Sequence, residues 1–378
     1  MVSFMVFSAK DRIVATVFLN NLRDNFFAVK KAVPHGVGIC AVVKADAYGH
    51  GAQRVSELCE SLGVSYLAVA SPEEALSLRS SGITSPILVL GFTPPHYIEA
   101  LAEHGITQTV YSEEYARMLL SVLYRCSKAL KIHLKIDSGM SRLGFRPREL
   151  YTVLDALKSK SFVTEGIYTH FSCADECDRE SVEFTKRQCD VFTECVEFLD
   201  SSGIHIPIRH AANSAAIAGE YDFSFDMVRA GLMLYGYRMV KSDINVSPAM
   251  ELKTVISQIK TLECGESVGY GRAFVADKSM RIATLPIGYA DGIPRCASRL
   301  GLSFFIGDFP VKIVGRVCMD QLMVDITDVP TARPFDEVLI FGRDIGKTAE
   351  NTAHALDTIS YEILCGVPRR AKREYKDI

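Results

Sequence analysis

Tryptophan is absent from the 378 residues, and so are the features that would assign the chain to a membrane or a nucleic acid. A formal net charge of -3 leaves no basic excess, which argues against nucleic acid and anionic membranes as partners. No apolar run approaches the roughly 18 residues that a membrane span needs. Residues 1–10 are apolar, but they have neither the basic start nor the cleavage site of a signal peptide. We therefore expect a globular protein of the cytoplasm, with no membrane partner.

The eleven cysteines form no pattern typical of a disulfide framework, because they are odd in number and scattered along the chain. Several fall inside apparent strands or helices, which favours reduced, buried thiols. Cys173 and Cys177 lie close together, but no second pair or histidine spacing completes a zinc site. The sequence predicts no metal centre.

Apolar β-like runs alternate with segments of helical periodicity from about Arg12 onward. The runs lie at 37–43, 66–70, 86–91, 107–110, 130–136, 163–169, 206–209 and 225–228. The amphipathic segments include 72–78, 112–124, 148–157 and 179–199. Eight strand–helix repeats over about two hundred residues are typical of a (β/α)8 barrel, the TIM barrel. A doubly wound sheet is the competing arrangement, but it rarely carries so many regular repeats.

The texture of the sequence changes after about Tyr237. Short β-like runs follow at 250–259, 282–286, 310–317, 322–326 and 337–341, broken by Gly, Pro and Asp turns. The predicted domains are a barrel over residues 11–240 and a mostly β C-terminal domain over 241–378. Residues 1–10, which are strand-like at 2–7, are expected to join the β domain. The charged tail at 369–376 is expected to be solvated.

Polar side chains collect where the predicted barrel strands end, and this rim is the active-site face of such barrels. Lys44 follows the run 37–43, and an isolated lysine there would most often extend into solvent. Several other groups share the rim, namely Asp137, Ser138, His170, Asn213, Ser214 and Arg229. A lysine whose pKa is lowered by burial can use its neutral amine in Schiff-base chemistry. Together with arginines, a histidine and small hydrogen-bond donors, this lysine suits pyridoxal phosphate.

Residues 41–51, AVVKADAYGHG, resemble the cofactor-lysine signature of bacterial alanine racemases. Enzymes of that family depend on pyridoxal 5'-phosphate, pair a barrel with a β domain and work as homodimers with shared active sites. The resemblance covers nearly the whole chain. Further matching segments are HLKIDSGMSRLG at 133–144, GIYTHF at 166–171, NSAA at 213–216, VRAGL at 228–232, VGYGR at 268–272, YADG at 289–292, VCMDQ at 317–321 and ISYE at 359–362.

The resemblance assigns roles to individual residues. Lys44 would be the pyridoxal phosphate lysine and one catalytic base, and Tyr270 of the second subunit would be the other. The implied cofactor-binding residues are Lys44, Tyr48, His170, Asn213, Ser214, Arg229, Gly231, Leu232 and Tyr361. The implied substrate-binding residues are Arg142, Met319, Asp320 and Tyr289, with Asp291, Arg295 and Arg316 along the substrate corridor. Lys135 matches a lysine that is carbamylated in several members and orients the arginine corresponding to Arg142.

Racemisation explains why two bases are expected, because the Cα proton leaves one face and a proton returns on the other. By resemblance, Lys44 acts on D-alanine and Tyr270 on L-alanine. A tyrosine in water has a pKa of about 10, so a tyrosine base needs a cationic neighbourhood. His170, bonded onward to Arg229, is the relay that the resemblance suggests. The implied activity is alanine racemase, which supplies D-alanine for peptidoglycan.

Three alternative functions remain open. A racemase of another small amino acid such as serine is the nearest, because an apolar pocket rejects an added hydroxyl poorly. A pyridoxal-phosphate decarboxylase of a basic amino acid would carry a Glu-Pro-Gly-Arg phosphate segment, whereas residues 228–231 read VRAG and Cys365 lies in an apolar run. A non-catalytic carrier of the cofactor is typically a barrel alone. Tyr289 and Tyr361 would narrow the pocket, which favours alanine.

Overall fold

The structure is a computed structural model that describes residues 11–219, 221, 223 and 225–377. The chain divides into two compact units. One unit comprises residues 21–247, and in the other the segment up to Asn20 joins the chain from Pro248 onward. Each unit has its own principal sheet.

The described residues form nineteen strands in chain order. They are β1 Ile13–Phe18, β2 Gly38–Val42, β3 Tyr66–Val69, β4 Ile87–Val89, β5 Thr107–Val110, β6 Leu130–Lys135, β7 Phe162–Tyr168, β8 Ile208–His210, β9 Met227–Ala230, β10 Met250–Val255, β11 Gln258–Leu262, β12 Ser267–Val268, β13 Phe274–Val275, β14 Met280–Leu285, β15 Ser303–Ile306, β16 Phe309–Val314, β17 Leu322–Asp325, β18 Glu337–Phe341 and β19 Lys372–Lys376.

The first unit is the predicted barrel. Its eight strands run in the order β8-β7-β6-β5-β4-β3-β2-β9, and every pairing in the ladder is parallel. Backbone N–H groups of Asp226 and Arg229 donate to the carbonyls of Arg209 and Ala212, at 3.0 and 2.9 Å, and join the two ends of the sheet. Strands β3 and β4 are apolar along their length because both faces of a parallel sheet are covered, whereas β5 and β6 also carry buried polar side chains.

Helices follow most barrel strands, and their starts carry the expected signals. Besides the left-handed segment Lys44–Tyr48, the α-helices of the described residues are Leu19–Ala32, Ala52–Ser61, Pro72–Ser80, Pro95–Glu103, Glu113–Leu123, Leu154–Leu157, Arg179–Ser201, Ser214–Ala218, Ala349–Ala355 and Ser360–Cys365. The hydroxyls of Ser71 and Ser112 and the carboxylate of Asp178 each accept a backbone N–H three residues later. Such side chains satisfy N–H groups that a helix leaves unpaired at its start.

The second unit is mostly β. Its main sheet has the order β11-β14-β17-β16-β15-β18-β10-β1-β19, with a separate β12-β13 hairpin. The last pair, β1 with β19, is parallel, and the other pairings of this sheet are antiparallel. One apolar cluster of this unit consists of Leu262, Val268, Ala276, Met280, Ile282 and Val314. The short helices Ala349–Ala355 and Ser360–Cys365 also belong to it.

The predicted fold class is confirmed, but the predicted boundaries of 10/11 and 240/241 differ from the observed division. Residues 13–18 were placed in the barrel, whereas β1 pairs with β10 and β19 in the other unit. The charged tail, expected to be solvated, is largely exposed and forms the edge strand β19 along β1. The segment predicted as one helix at 148–157 is a 3-10 helix, Pro147–Val153, followed by a single α-turn. The strand expected at 2–7 lies outside the described residues.

Candidate active site

Strand β2 ends next to Lys44, and the chain then makes a left-handed turn. Residues 45–48 have φ between 52° and 55°, and none of them is glycine. The N–H groups of Ala47 and Gly49 donate to carbonyls four residues back, Val43 and Ala45, at 2.9 and 3.0 Å. A left-handed helical conformation costs roughly 1–2 kcal/mol per residue for L-amino acids. Such strain persists only where surrounding groups fix the backbone.

Two carboxylates connect this turn to neighbouring helices. Glu74 accepts the N–H of Ala45 on Oε1 at 2.7 Å. Asp46 accepts the N–H of Ala52 on Oδ1 at 2.8 Å, which joins the turn to the start of the next helix. These charge-assisted bonds offset part of the backbone strain.

Aromatic side chains cover the other side of the turn. The rings of Tyr48 and His50 lie 4.7 and 4.6 Å from the ring of Tyr235. The Tyr235 hydroxyl donates to the carbonyl of Val42 at 2.8 Å. His50 Nδ1 lies within 3.0 Å of the carbonyls of Ala47 and Tyr48. The strand end before Lys44 and the turn after it are therefore packed against one tyrosine.

Arg229, on β9, is buried at the same end of the barrel. Its guanidinium donates to the carbonyls of Thr169, His210 and Ala211 at 2.8 to 3.2 Å. It also donates to Nδ1 of His210 and of His170, at 3.0 and 3.1 Å. Burial lowers the pKa of Arg229 to about 10, so the group stays protonated at neutral pH. All of these acceptors are neutral, and the positive charge has no carboxylate among them.

The arginine fixes the protonation of the neighbouring histidines. Arginine only donates, so Nδ1 of His170 and of His210 must accept, and the proton of each neutral ring lies on Nε2. His210 Nε2 donates in turn to His133 Nδ1 at 3.0 Å. Burial and the charge of Arg229 hold the pKa of His170 and of His210 well below the ordinary value, and lower that of His133 to about 3. The three rings are neutral at physiological pH.

The register of the barrel places Lys135, Tyr168 and His210 side by side on β6, β7 and β8. Tyr168 stacks on His210 at 4.7 Å, and Lys135 Nζ lies 5.3 Å from the Tyr168 ring. Burial, together with the charge of Arg229, lowers the pKa of Lys135 to about 7. Near neutral pH, a substantial fraction of Lys135 is therefore the uncharged amine.

Arg142 lies on the exposed loop after β6. Asp137 shapes this loop by accepting the N–H groups of Gly139 and Ser141 at 3.2 and 2.9 Å. The charges of Arg142 and Lys44 each contribute to lowering the pKa of His170. The structure therefore brings Lys44, Arg142, His170 and Arg229 close enough to interact electrostatically.

Small groups after β8 and β9 form a cradle beside Tyr48. The Ser214 hydroxyl accepts the N–H groups of Gly231 and Met233 at 2.9 and 3.4 Å, so its own proton points elsewhere. A Cβ on Gly231 would lie 2.9 Å from the Tyr48 hydroxyl and 3.7 Å from Ser214 Oγ. Asn213 holds the adjacent turn by accepting the N–H of Ala216 at 3.0 Å. Leu232, fully buried, begins the 3-10 helix that follows.

Tyr270 belongs to the β unit and is 69% exposed. It opens the short 3-10 helix Tyr270–Arg272, between glycines whose φ is 72° and 68°. A Cβ on Gly271 would lie 2.9 Å from Arg316 Nη1. The tyrosine is thus on a tight turn that packs against an arginine of the predicted corridor.

Two further loops of the β unit adjoin this arginine. The N–H groups of Tyr289 and Ala290 donate to the carbonyls of Cys318 and Met319, each at 3.0 Å. Tyr289 is 43% exposed and Met319 is 54% exposed. Because Arg316, Cys318 and Met319 lie on one loop, the three segments 269–272, 288–292 and 316–320 form one surface. We call it the tyrosine surface.

Asp291 is a buried residue that holds the tyrosine surface in place. Its buried carboxylate accepts from Arg12 Nη2 at 2.8 Å, from Arg370 Nε at 2.6 Å and from the N–H of Gly288 at 3.0 Å. Arg370 Nη2 also donates to Asp320 at 2.8 Å. Burial would raise the pKa of Asp291, but the hydrogen bonds from Arg370 and Arg12 bring it below the ordinary value.

The predicted site residues thus fall into two groups. Lys44, Tyr48, Lys135, Arg142, His170, Asn213, Ser214, Arg229, Gly231 and Leu232 belong to the barrel unit, and Tyr270, Tyr289, Arg295, Arg316, Met319, Asp320 and Tyr361 to the β unit. Tyr361 lies on the helix Ser360–Cys365 and is partly buried, and Arg295 is exposed. Sequence reasoning gave no role to His210, Tyr168, Tyr235 or Glu74. The position of His210 directly after the predicted strand 206–209 was the one signal available.

Neither a metal cluster nor a membrane span appears in the part of the chain that the structure describes. No group of three or more His, Cys, Asp or Glu side chains is placed to hold a metal ion. No helix there is long and apolar enough to cross a membrane. All eleven cysteines are free thiols.

Comparison with known proteins matches both units. Residues 17–239 match the family model described as alanine racemase, N-terminal domain, and residues 249–375 match alanine racemase, C-terminal domain. An alanine racemase of Halothermothrix orenii is 41% identical over 369 residues, 96% of each chain. Alanine racemase 1 of Caldanaerobacter subterraneus subsp. tengcongensis is 39% identical and covers 95% of this chain and 93% of its own.

Solved structures agree with these matches. An alanine racemase of Clostridium difficile has a TM-score of 0.90 at 39% identity, covering 98% of this chain and 97% of the other. An alanine racemase of Bacillus anthracis with bound L-Ala-P has a TM-score of 0.91 at 33% identity, covering 98% and 96%. With both domains matched and relatives about 40% identical over nearly their full length, the chain belongs to the alanine racemase family, a family of isomerases.

Proposed function

We propose that this chain interconverts L-alanine and D-alanine with pyridoxal 5'-phosphate held at the rim of its barrel. The observation that carries the proposal is the group around Arg229. A buried, protonated arginine surrounded by neutral acceptors lies with His170 within electrostatic reach of Lys44. Family membership gives this arrangement its reaction.

The residues present fit the cofactor. Tyr48 and Ser214 place their hydroxyls around Gly231, where a side chain would crowd the Tyr48 hydroxyl, and hydroxyl groups suit a phosphate. Lys44 supplies the amine for a Schiff base. Asn213, Leu232 and Tyr361 complete the proposed set. When bound, the cofactor withdraws electrons from the substrate Cα and so acidifies its proton.

Arg229 is proposed to face the pyridine nitrogen of the cofactor. Its pKa of about 10 keeps it protonated, and a guanidinium only donates hydrogen bonds. An acidic residue at this place, as the decarboxylases of basic amino acids carry, would instead favour a protonated nitrogen. The arginine therefore weighs against the decarboxylase alternative.

Two bases are proposed for the Cα proton. Lys44 would take or return it on one face and Tyr270 on the other. The Nε2 proton of His170 is available to donate to an oxygen, because Arg229 occupies Nδ1. A phenolate is such an acceptor, so His170 would stabilise the deprotonated Tyr270. Arg142, Tyr289, Met319 and Asp320 are proposed to bind the substrate.

Lys135 is proposed to carry a carbamate. Only an uncharged amine adds to carbon dioxide, forming an N–C bond and releasing one proton to solvent, and the pKa of about 7 provides that form near neutral pH. Arg229 and Arg142 both disfavour a positive charge on Lys135, so both would attract the negative carbamate that replaces it.

A homodimer with shared active sites is proposed on the basis of the tyrosine surface. Tyr270, Tyr289 and Met319 are large side chains that remain 43 to 69% exposed. A second copy would cover them and bring its own Lys44 to Tyr270. In a cell, the product D-alanine would serve peptidoglycan synthesis in the cytoplasm, where free thiols stay reduced.

The direct test offers L-alanine, L-serine and L-lysine separately to the protein loaded with pyridoxal phosphate. We expect D-alanine to form fastest, and activity to be lost in Lys44→Ala. Tyr270→Phe should abolish solvent deuterium exchange into L-alanine while leaving exchange into D-alanine. Tyr151→Phe is the matched control, since Tyr151 is 68% exposed and Tyr270 is 69% exposed. Faster formation of D-serine would favour the serine racemase. Release of carbon dioxide from lysine would favour the decarboxylase, and bound cofactor without turnover would favour the non-catalytic carrier.

A further inference from the structure

Glu74 makes two backbone contacts at neighbouring strand ends of the barrel. It lies in the first turn of the helix Pro72–Ser80. Its Oε1 accepts the N–H of Ala45 at 2.7 Å, and its Oε2 accepts the N–H of Ala70 at 2.8 Å. Ala45 directly follows Lys44, and Ala70 directly follows β3. One carboxylate therefore joins the chain after Lys44 to the end of the adjacent strand.

The chemistry of these contacts requires a carboxylate. Two N–H donors need two acceptor oxygens, and an ionised glutamate offers both in one plane. A glutamine would offer one oxygen and place an N–H2 donor against the other N–H. The N–H of Ala45 is the first in the left-handed turn, and the two bonds that close the turn are made by later N–H groups, those of Ala47 and Gly49.

We propose that Glu74 is a positioning residue that holds Lys44 in its reactive orientation through the left-handed turn. The inference rests on the proposed function in taking Lys44 as the Schiff-base lysine. The strained φ values at 45–48 require outside support, and Glu74 acts on the first peptide of the strained segment. When that N–H loses its acceptor, the segment relaxes toward right-handed geometry. One peptide bond away, the Lys44 side chain changes direction.

The test compares Glu74→Gln with Glu73→Gln. Glu73 lies in the same first helical turn, so both variants remove one charge near the same helix start. The hydrogen bonds to Ala45 and Ala70 belong to Glu74 alone. The first measurement is amide hydrogen exchange on the full chain without added cofactor. We expect exchange at Ala45 and Ala70 to become at least about tenfold faster in Glu74→Gln, and to stay unchanged in Glu73→Gln.

The second measurement addresses the lysine. Both variants are reconstituted with pyridoxal phosphate, and the absorbance of the Lys44 Schiff base is titrated with pH. Glu74→Gln should shift this titration and lower kcat for alanine by about 10- to 100-fold, with KM changed less than about threefold, because a reacting group is displaced while substrate contacts remain. Glu73→Gln should match the parent in both readouts.

Two results would overturn the proposal. Unchanged exchange at Ala45 in Glu74→Gln would show that the carboxylate does not hold the turn. Faster exchange and a lower melting temperature, with an unchanged Schiff-base titration and unchanged kcat per bound cofactor, would show a structural role only. Should Glu74→Gln lack a cooperative thermal transition, the shorter Glu74→Asp is measured in the same way. The parent protein tests the proposed function separately. If that function is wrong, the parent will either form no Schiff base or not convert alanine.

Discussion

At the scale of single residues, Lys135 makes the clearest prediction. Its pKa of about 7 in the folded chain lies below the ordinary 10.5, so the unfolded chain binds more protons between these values. The free energy of unfolding therefore rises with pH across that window on account of this lysine. Lys135→Met removes this pH-dependent loss of stability. Urea titrations should show the variant gaining most over the parent below pH 7, and the gain should disappear toward pH 10.5.

Lys131→Met is the control on the same strand. Lys131 is 42% exposed at its side chain and pairs with Glu165 at 2.6 Å. Its removal should change stability little across the same window. With 13C-labelled bicarbonate, a carbamate signal should appear in the parent and in Lys131→Met and be missing from Lys135→Met. A constant stability difference between Lys135→Met and the parent at every pH would contradict the lowered pKa.

At the scale of elements, Asp291 connects loops that sequence separation keeps far apart. Asp291→Asn leaves Arg12 and Arg370 without their common carboxylate, and breaking a buried ion pair costs about 3–5 kcal/mol. The arginines remain 35 and 44% exposed, which puts the expected loss at the lower end of that range. Loosening of Asp320 and Tyr289 should also lower kcat/KM for alanine. Chemical denaturation and steady-state kinetics measure the two effects.

The pH dependence of this carboxylate has a definite sign. The pKa of Asp291 is lower in the folded chain than in the unfolded chain. Its contribution to the free energy of unfolding is therefore present at neutral pH and is lost as the pH falls through the folded-state pKa. Asp308→Asn is the control, because Asp308 pairs with Lys347 at the surface, where its side chain is 99% exposed. An Asp291→Asn variant as stable as Asp308→Asn would show that the buried carboxylate contributes nothing.

Elements also show what sequence can and cannot predict. The eight barrel strands were predictable because buried parallel strands are continuous apolar runs. The left-handed turn after Lys44 was not, because Ala45, Asp46, Ala47 and Tyr48 have no strong preference for positive φ. Its supports are long-range, since Glu74 and Tyr235 reach it from other elements. The sequence alone could predict that Lys44, His170 and Arg229 lie near strand ends, whereas the histidine chain behind Arg229 depends on strand register.

At the scale of the whole molecule, the predicted domain boundary differs from the observed one because it too depends on long-range contacts. A strand followed by a helix shows the same local sequence pattern whether the strand belongs to a barrel or to another sheet. Residues 13–18 show that pattern and fall within the predicted barrel range of 11–240, although they are not among the eight predicted barrel runs. Only pairing with β10 and β19 distinguishes the two cases, and pairing partners are not encoded locally.

The proposed homodimer with shared active sites predicts complementation between two inactive chains. Lys44→Ala retains Tyr270, and Tyr270→Phe retains Lys44, so a mixed dimer has one site with both groups. After unfolding and refolding together in equal amounts, the mixture should recover about one quarter of the parent activity, because half of the dimers are mixed and each has one working site. Mixing Lys44→Ala with itself is the control. No recovery in a mixture shown to exchange subunits would place both bases in one chain.

The pairing of β1 with β19 has a consequence for the order of events during synthesis. Residues 13–18 are synthesised long before residues 372–376, which form one of their two neighbouring strands. At about 5–20 residues per second, the interval between them is roughly 20–70 s. The barrel segment can fold within that time, while the first strand waits without its edge partner. The newborn chain therefore carries an incomplete sheet until residues 372–376 have been synthesised.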